Sequence, residues 1–403
     1  MSFIIIKKNY LYNKKYEMKN QYENAKKQVL VYDLLKKQNV TYRFIQEFLY
    51  PDRIIEVNIP VQMDDGDIKI FTYRSQHKNI RPYKGIRFHQ DVSLEEVKAL
   101  SLWMSIKTSV VKLPLSKIIV NPKELSYTEL EKLSRYVRQL YKYLPDFDIP
   151  APDVNTNSQI MAWMVDEYSK LVGKFIPTFT KPIELGSERH IATSLGLYVL
   201  EKYFSMKSDI NKEIVIQANA LNFAKLVKER KIIAISDSAI YDKKGINIDE
   251  IIKIKNEKKS VVNIKNFEKI TNEELLELNC DILVLAALEN QITMENIDNI
   301  NTSVILELAN GPIIPDVDNI LYNKNIIVIP DVLANAGVTV SYFEQVQNTN
   351  FYWDEKDIFE KLKMIMYEST KEVINLDELS INYRKSAYIL SLLRQYNAWK
   401  YIN

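Results

Sequence analysis

EIVIQANALNFAKLVKERKIIAISDS, residues 213–238, is the stretch that decides the fold. Ile214 to Ile216 and Ile232 to Ile235 are short apolar runs separated by one helix-length segment, the pattern of strands buried on both faces of a parallel sheet. Three further runs repeat it: Ile282 to Leu285, Val304 to Leu306 and Ile326 to Ile329. From about Lys181 onward such runs alternate with helical segments, which predicts a doubly wound, mostly parallel α/β sheet of the nucleotide-binding kind. After Asn335 the chain reads as helix again.

Upstream the pattern differs. Ile55, Val57, Ile59, Val61 and Met63 alternate with Glu56, Asn58, Pro60 and Gln62, and an Asp64-Asp65-Gly66 turn leads back through Ile68 and Ile70. That alternation predicts a half-buried hairpin. Ser93 with Glu96 and Ser126 with Glu129 have capping-box spacing at the start of two helices, the second running through Leu133, Val137 and Leu140. A Pro-Ala-Pro-Asp segment precedes a helix from Ser158 to Leu171. Residues 1–50 read as helices with Lys-rich polar faces and apolar positions Leu30, Tyr32, Leu34 and Leu35. The expectation is two domains: residues 1–180, to which helices over 350–403 return, and a dinucleotide-type domain over 181–349. The cleft between them is the expected site.

A chain of 403 residues is too long for one ordinary core. Its 26% charged and 46% hydrophobic residues are those of a soluble globular protein. A net charge of +2 with scattered lysines gives no reason to expect nucleic acid. One cysteine, Cys280, excludes an internal disulfide framework, and three histidines without a cysteine partner leave no metal cluster to expect. The N-terminal Phe-Ile-Ile-Ile run is too short for a membrane span, so no membrane partner and a cytoplasmic location are expected. Glycine is the unusual number: there are 8, where ordinary usage would give roughly 28. Positions needing positive φ must then be filled by other residues or deleted.

Between residues 73 and 157, three lysines and one carboxylate collect where lysine has little structural reason to be. Lys84 follows an Arg-Pro-Tyr turn, and Lys107 lies among Trp103, Met104, Ile106 and Val110 on an apolar helix. Lys117 ends a Leu-Pro-Leu-Ser loop, and Asp153 follows two prolines. Buried ammonium groups are costly unless paired, so the set suggests a pocket for a small dicarboxylate.

Several longer words carry more information: YKGIRFH (83–89), IPAPDVNTN (149–157), KPIELG (181–186), AALENQI (286–292), LANGP (308–312) and LANAGVTVSYFE (333–344). At these words the chain resembles the glutamate dehydrogenases, within the wider Glu/Leu/Phe/Val dehydrogenase family, from about Arg43 to the last helix. The resemblance implies a Rossmann-like second domain, reversible NAD-dependent oxidative deamination of L-glutamate to 2-oxoglutarate and ammonia, and a homo-hexamer. It assigns Lys84 and Ser341 to the substrate's side-chain carboxylate and Lys107 to its α-carboxylate. It makes Lys117 the base that activates water and Asp153 the proton shuttle. Thr193, Asn290 and Asn310 then line the nicotinamide side, and Asn219 lies in the segment matching the pyrophosphate loop. Asp237, at the end of the second strand, accepts the ribose hydroxyls and favours NAD over NADP. Plain structural alternatives stand beside these roles: a solvated loop lysine at 84, a snorkelling lysine at 107, and turn residues at Asp153, Asn290 and Asn310.

The chain departs from the family where the family has glycine. Ile118 and Ile119 follow Lys117 directly, and Gln217-Ala218-Asn219-Ala220-Leu221-Asn222-Phe223-Ala224 replaces a three-glycine fingerprint. A β-carbon at the pyrophosphate position obstructs close approach. A second reading therefore stands beside the enzyme: a catalytically impaired homologue acting as a folded subunit or binding protein.

Overall fold

A computed structural model describes residues 38–77, 83–88, 93–111, 116–120, 125–139, 149–152, 156–173, 213–217, 223–224, 227–235, 240–258, 267–287, 289–336, 355–376 and 382–401, with scattered positions between 22 and 36. The chain divides into two compact units. One is Met1–Arg189 with Thr339–Asp354 and Ser391–Asn403, and the other is His190–Val338 with Glu355–Leu390. The expected return of 350–403 to the first domain is thus divided, with Glu355–Leu390 grouping with the second unit. Within that unit Arg384 is tied to Glu307, Asp318 and Asp331.

The first unit contains α1 (Tyr42–Leu49), β1 (Arg53–Gln62), β2 (Ile68–His77), β3 (Tyr83–Phe88), α2 (Leu94–Val110), β4 (Ser116–Val120), α3 (Tyr127–Gln139), β5 (Ile149–Pro152) and α4 (Ser158–Val172). Its strands form one sheet in the order β1-β2-β4-β3-β5. The antiparallel pair β1 and β2 is the expected hairpin, turning at Gly66 with φ +90°. Alternation puts Ile59, Val61 and Met63 inside, where they pack with Phe71, Tyr73, Leu133, Val137 and Met164. Ile68 and Ile70 do not join them and remain 69% and 68% exposed. The register explains this, since they stand opposite Gln62 and Pro60 on the outward face.

The second unit contains β6 (Ile214–Gln217), β7 (Ile232–Ile235), β8 (Ile240–Tyr241), α5 (Ile248–Lys258), β9 (Glu268–Lys269), α6 (Asn272–Leu276), β10 (Cys280–Leu285), β11 (Thr302–Glu307), α7 (Asp318–Asn323), β12 (Ile327–Ile329), α8 (Asp331–Ala334) and α9 (Glu355–Asn375). The last helix, α10 (Tyr383–Lys400), begins in this unit and ends in the first. The sheet runs β12-β11-β10-β6-β7-β8-β9. The first five strands in that order are mutually parallel, while β8 and β9 are antiparallel additions. With β8 counted as the third strand, this is the 3-2-1-4-5-6 order of a dinucleotide-binding sheet with its third strand reversed. All of β6 and β7 is buried, as their continuous apolar runs predict. Cys280 is buried at the start of β10, and burial pushes its thiol up to about 12, which leaves it inert. Among the described residues no helix is long and apolar enough to cross a membrane.

The capping box predicted at Ser126 is complete. Ser126 Oγ accepts from Glu129 N at 3.2 Å, and Ser126 N donates to Glu129 Oε2 at 2.9 Å. Glu129 Oε1 also accepts the backbone N–H of Asp64 at 2.9 Å, joining the hairpin turn to the start of α3. One buried carboxylate thus satisfies two backbone donors far apart in the chain. Glu129→Ala should lower stability by about 1–3 kcal/mol, and Glu129→Gln by less, because the amide oxygen still accepts one bond. Denaturant midpoints of the three proteins check the order; equal midpoints for wild type and Ala would refute the junction.

Candidate active site

In the first unit β3 lies between β4 and β5, parallel to both. Lys84 stands opposite Ser116 and Pro150, and Gly85 opposite Lys117 and Ala151. The backbones of Lys84 and Lys117 are therefore one register step apart on neighbouring strands. Lys117 is the second residue of β4 and not the end of a loop. Ile118 and Ile119 pair with Ser75 and Arg74 on one side and Ile86 and Arg87 on the other. Extended backbone is what β-branched residues favour, which is why these residues continue the strand. Asp153 lies outside the described residues. Of the described residues, Pro152 pairs with Ile86 in the sheet, and Thr156 Oγ1 donates to Ile86 O at 2.8 Å.

Lys107 sits in the last turn of α2 and is only 7% exposed, so it does not snorkel to water. Ser93 Oγ caps the other end of this helix, accepting from Glu96 N at 3.1 Å. At the Lys107 end, Arg394 donates to Ser109 O at 3.0 Å and Val110 O at 2.5 Å. Gln395 donates to Ser105 O at 3.3 Å. Arg394 thus serves carbonyls of the last turn and places positive charge at the negative pole of the helix, while Gln395 braces the turn before it. The turn carrying Lys107 is held from several sides.

In the second unit the strand order reverses between β6 and β10, whose last residues, Gln217 and Leu285, are register partners. Open α/β sheets bind ligands beyond the carboxyl ends of their strands at such a point. Gln217 is fully buried and donates to Gln291 Oε1 at 2.6 Å and Asn272 Oδ1 at 3.0 Å, while its own Oε1 has no partner among the described residues. The loops carrying Asn290 and Asn310 come together: Asn290 N donates to Gly311 O at 3.0 Å, and Ile292 bridges to Ile313. Asn290 has φ +57°, the left-handed backbone expected of a turn residue. Asn335 Nδ2 reaches Leu308 O, Ala309 O and Asn310 Oδ1 at 3.1, 3.2 and 3.3 Å. Thr193, Asn219, Asp237 and Ser341 lie outside the described residues.

One group of charges was not foreseen. Arg384 donates to Glu307 at 2.7 Å, Asp318 at 2.8 Å and Asp331 at 3.1 Å, all inside the second unit. Burial, with Asp331 nearby, pushes the Glu307 carboxyl up to about 7 despite the guanidinium. Its one trace in the sequence is an acid closing the otherwise apolar run of β11, where a buried strand has no use for charge without a partner. Among the described residues no group of three or more His, Cys, Asp or Glu is placed to hold a metal ion.

Two α/β units, one with a dinucleotide-type sheet order and the other with two lysines on adjacent parallel strands, define a nucleotide-dependent enzyme class. Comparison with known proteins makes the assignment specific. The model of the Glutamate/Leucine/Phenylalanine/Valine dehydrogenase family matches residues 186–401, and that of the Glu/Leu/Phe/Val dehydrogenase dimerisation domain matches residues 51–170. The chain belongs to this family. It is 44% identical over 386 residues to the NAD-specific glutamate dehydrogenase of Staphylococcus aureus (strain COL), covering 89% of this chain and 92% of that protein. Among solved structures, glutamate dehydrogenase from Peptoniphilus asaccharolyticus superposes with a TM-score of 0.79 at 34% identity, covering 94% of this chain and 98% of that one. The hetero-hexameric glutamate dehydrogenase from Thermus thermophilus, in its Leu-bound form, gives 0.85 at 27% identity, covering 96% and 97%.

The raised Glu307 carboxyl has a measurable consequence. Its ordinary value is 4.5 and its folded value about 7, so between these the folded state holds a proton that the unfolded state has released. The stability it contributes is fully present below about pH 4.5 and is lost as pH rises to about 7. Relative to a Glu307→Gln variant, the wild type should lose stability over that window and track it above. Paired denaturation curves at intervals across the window check this; a constant difference would refute it.

Proposed function

We propose that this chain is an NAD-dependent glutamate dehydrogenase, interconverting L-glutamate with 2-oxoglutarate and ammonia. The observation that carries the reading is its 44% identity, across 89% of its length, to a protein named NAD-specific glutamate dehydrogenase. The fit of the cofactor is supported by the strand-order reversal at β6 and β10 and by a buried Gln217 with an unused acceptor at that point. Asn290, Asn310, Thr193, Asn219 and Asp237 are the residues that would hold NAD. When bound, NAD accepts a hydride from the substrate α-carbon.

The rest of the chemistry falls to the chain. Lys84 and Ser341 bind the side-chain carboxylate and Lys107 the α-carboxylate, which orients the α-carbon. Lys117 removes a proton from the attacking water, and Asp153 passes protons to the departing amine. A base carried on a paired strand is held at a fixed backbone register, as such positioning requires. The protein acts in the cytoplasm as a homo-hexamer. The impaired-subunit reading rests on the lost glycines of 218–224, and the same assays decide it.

The wild type should reduce NAD in a glutamate-dependent reaction and use NADP more slowly. Lys107→Met should lower kcat/KM for glutamate by about a hundredfold or more, with NADH binding retained. Lys117→Ala should abolish turnover and also leave NADH binding intact. Saturable NADH binding with no turnover in the wild type would establish the impaired homologue instead.

A further inference from the structure

The carboxyl end of β11 carries a construction that no step of the proposed reaction uses. All three arms of the Arg384 guanidinium are engaged, on Glu307, Asp318 and Asp331. Asp331 is in turn held from two sides, since its Oδ1 faces Arg384 and its backbone N donates to Glu307 Oε2 at 2.8 Å. Its remaining oxygen, Oδ2, accepts the backbone N–H of Gly311 at 3.0 Å. One helical turn along, Asn335 supplies the three bonds to 308–310 described above. Gly311 O then receives Asn290 N. Everything converges on the four-residue turn that carries Asn310.

Stability alone is a poor explanation for this. A buried ion cluster is often no more stable than apolar side chains of the same volume, because desolvation offsets the attraction. What a rigid, planar guanidinium with three carboxylates does supply is fixed geometry. That geometry is imposed beyond the carboxyl end of a strand, where this class of sheet binds its ligands. Gly311 and Asn290 both have φ +57°, a backbone that other side chains adopt only with strain, so the two facing turns depend on these bonds to keep their shape.

We propose that Arg384 is a positioning residue for the dinucleotide: acting through Asp331, it sets the 308–311 turn, and with it Asn310 and Asn290, in the shape that receives the nicotinamide end of NAD. The inference rests on the reading that this chain binds NAD at those asparagines. Arg384 touches neither cofactor nor substrate in this role, so its loss should change cofactor affinity selectively.

The test uses the full-length enzyme with Arg384→Lys, which keeps the charge but loses the three-way fork, and Asn335→Ala, which leaves the ion cluster untouched and removes the bonds to 308–310. For each, KM for NAD, KM for glutamate and the NADH dissociation constant by fluorescence are measured. Both variants should raise KM for NAD and the NADH dissociation constant by about tenfold, with KM for glutamate unchanged. A merely structural role would lower the active fraction, and so kcat, with both KM values at wild type, and that result overturns the proposal. Should Arg384→Lys fail to fold, Asn335→Ala alone separates these two outcomes. Wild-type protein that binds NADH without turning over glutamate defeats only the dehydrogenase reading, and the dissociation constants then decide the positioning role. Wild-type protein that does not bind NADH overturns both.

Discussion

Left-handed backbone is the constraint around which this chain is built. With 8 glycines in the whole sequence, turns that need positive φ have few residues to draw on. Among the described residues those positions are held by Gly66, Gly173, Gly245 and Gly311 and by three asparagines, Asn39, Asn290 and Asn325, at φ 60°, 57° and 58°. Asparagine tolerates this region better than other residues with a β-carbon, because its short side chain bonds locally. Gly311 shows that conformation, not crowding, decides the choice: a β-carbon there would meet none of the described residues within 4 Å, yet φ is +57°. Four of the 8 glycines, at 66, 173, 245 and 311, stand where backbone geometry demands them, and one of these places is the turn that faces Asn290.

The two units solve burial differently. In the first, the hairpin and helices α3 and α4 close over an apolar interior, and the buried carboxylate of Glu129 serves two backbone donors at its edge. In the second, the sheet is apolar throughout its central strands but ends in charge. Glu307 closes β11 with no exposure, and the guanidinium that neutralises it comes from α10, 77 residues away in sequence. This is where sheet, loops and last helix of that unit are tied together. Through Asp331 the same cluster also reaches the 308–311 turn, whose Gly311 N donates to it.

Features with a local period were legible in the sequence. Alternation gave the β1–β2 hairpin, continuous apolar runs gave the parallel strands, and Ser126 with Glu129 gave the start of α3, because each is dictated by residues close together in the chain. Features set by pairing between distant segments were not. Ile68 and Ile70 look like inward residues until the register sets them opposite Gln62 and Pro60. Lys117 reads as a loop residue until β2 and β3 are seen to pair on both sides of it. The Arg384 cluster, assembled from separations of 53 to 77 residues, left only the acid at the end of β11 as a trace. The family resemblance supplied the roles of Lys84, Lys107 and Asp153, and no periodicity could have done so.

The loss of the glycine pairs that flank the equivalent of Lys117 in the family bears on the proposed function through this same pairing. Isoleucine in place of glycine is damaging where the backbone must take a conformation closed to β-branched residues. At 118 and 119 the backbone is extended and paired, a conformation in which isoleucine is favoured over glycine. The loss of backbone freedom is therefore matched by a gain in definition. The Lys117 backbone has a fixed register, opposite Gly85 on one strand and Gln76 on the other. A residue carried on a paired strand has fewer backbone positions to sample than one carried on a glycine-rich loop, so the placement of the proposed base rests on register and not on loop closure. At Lys117, glycine depletion changes how the backbone is held without removing the means of holding it.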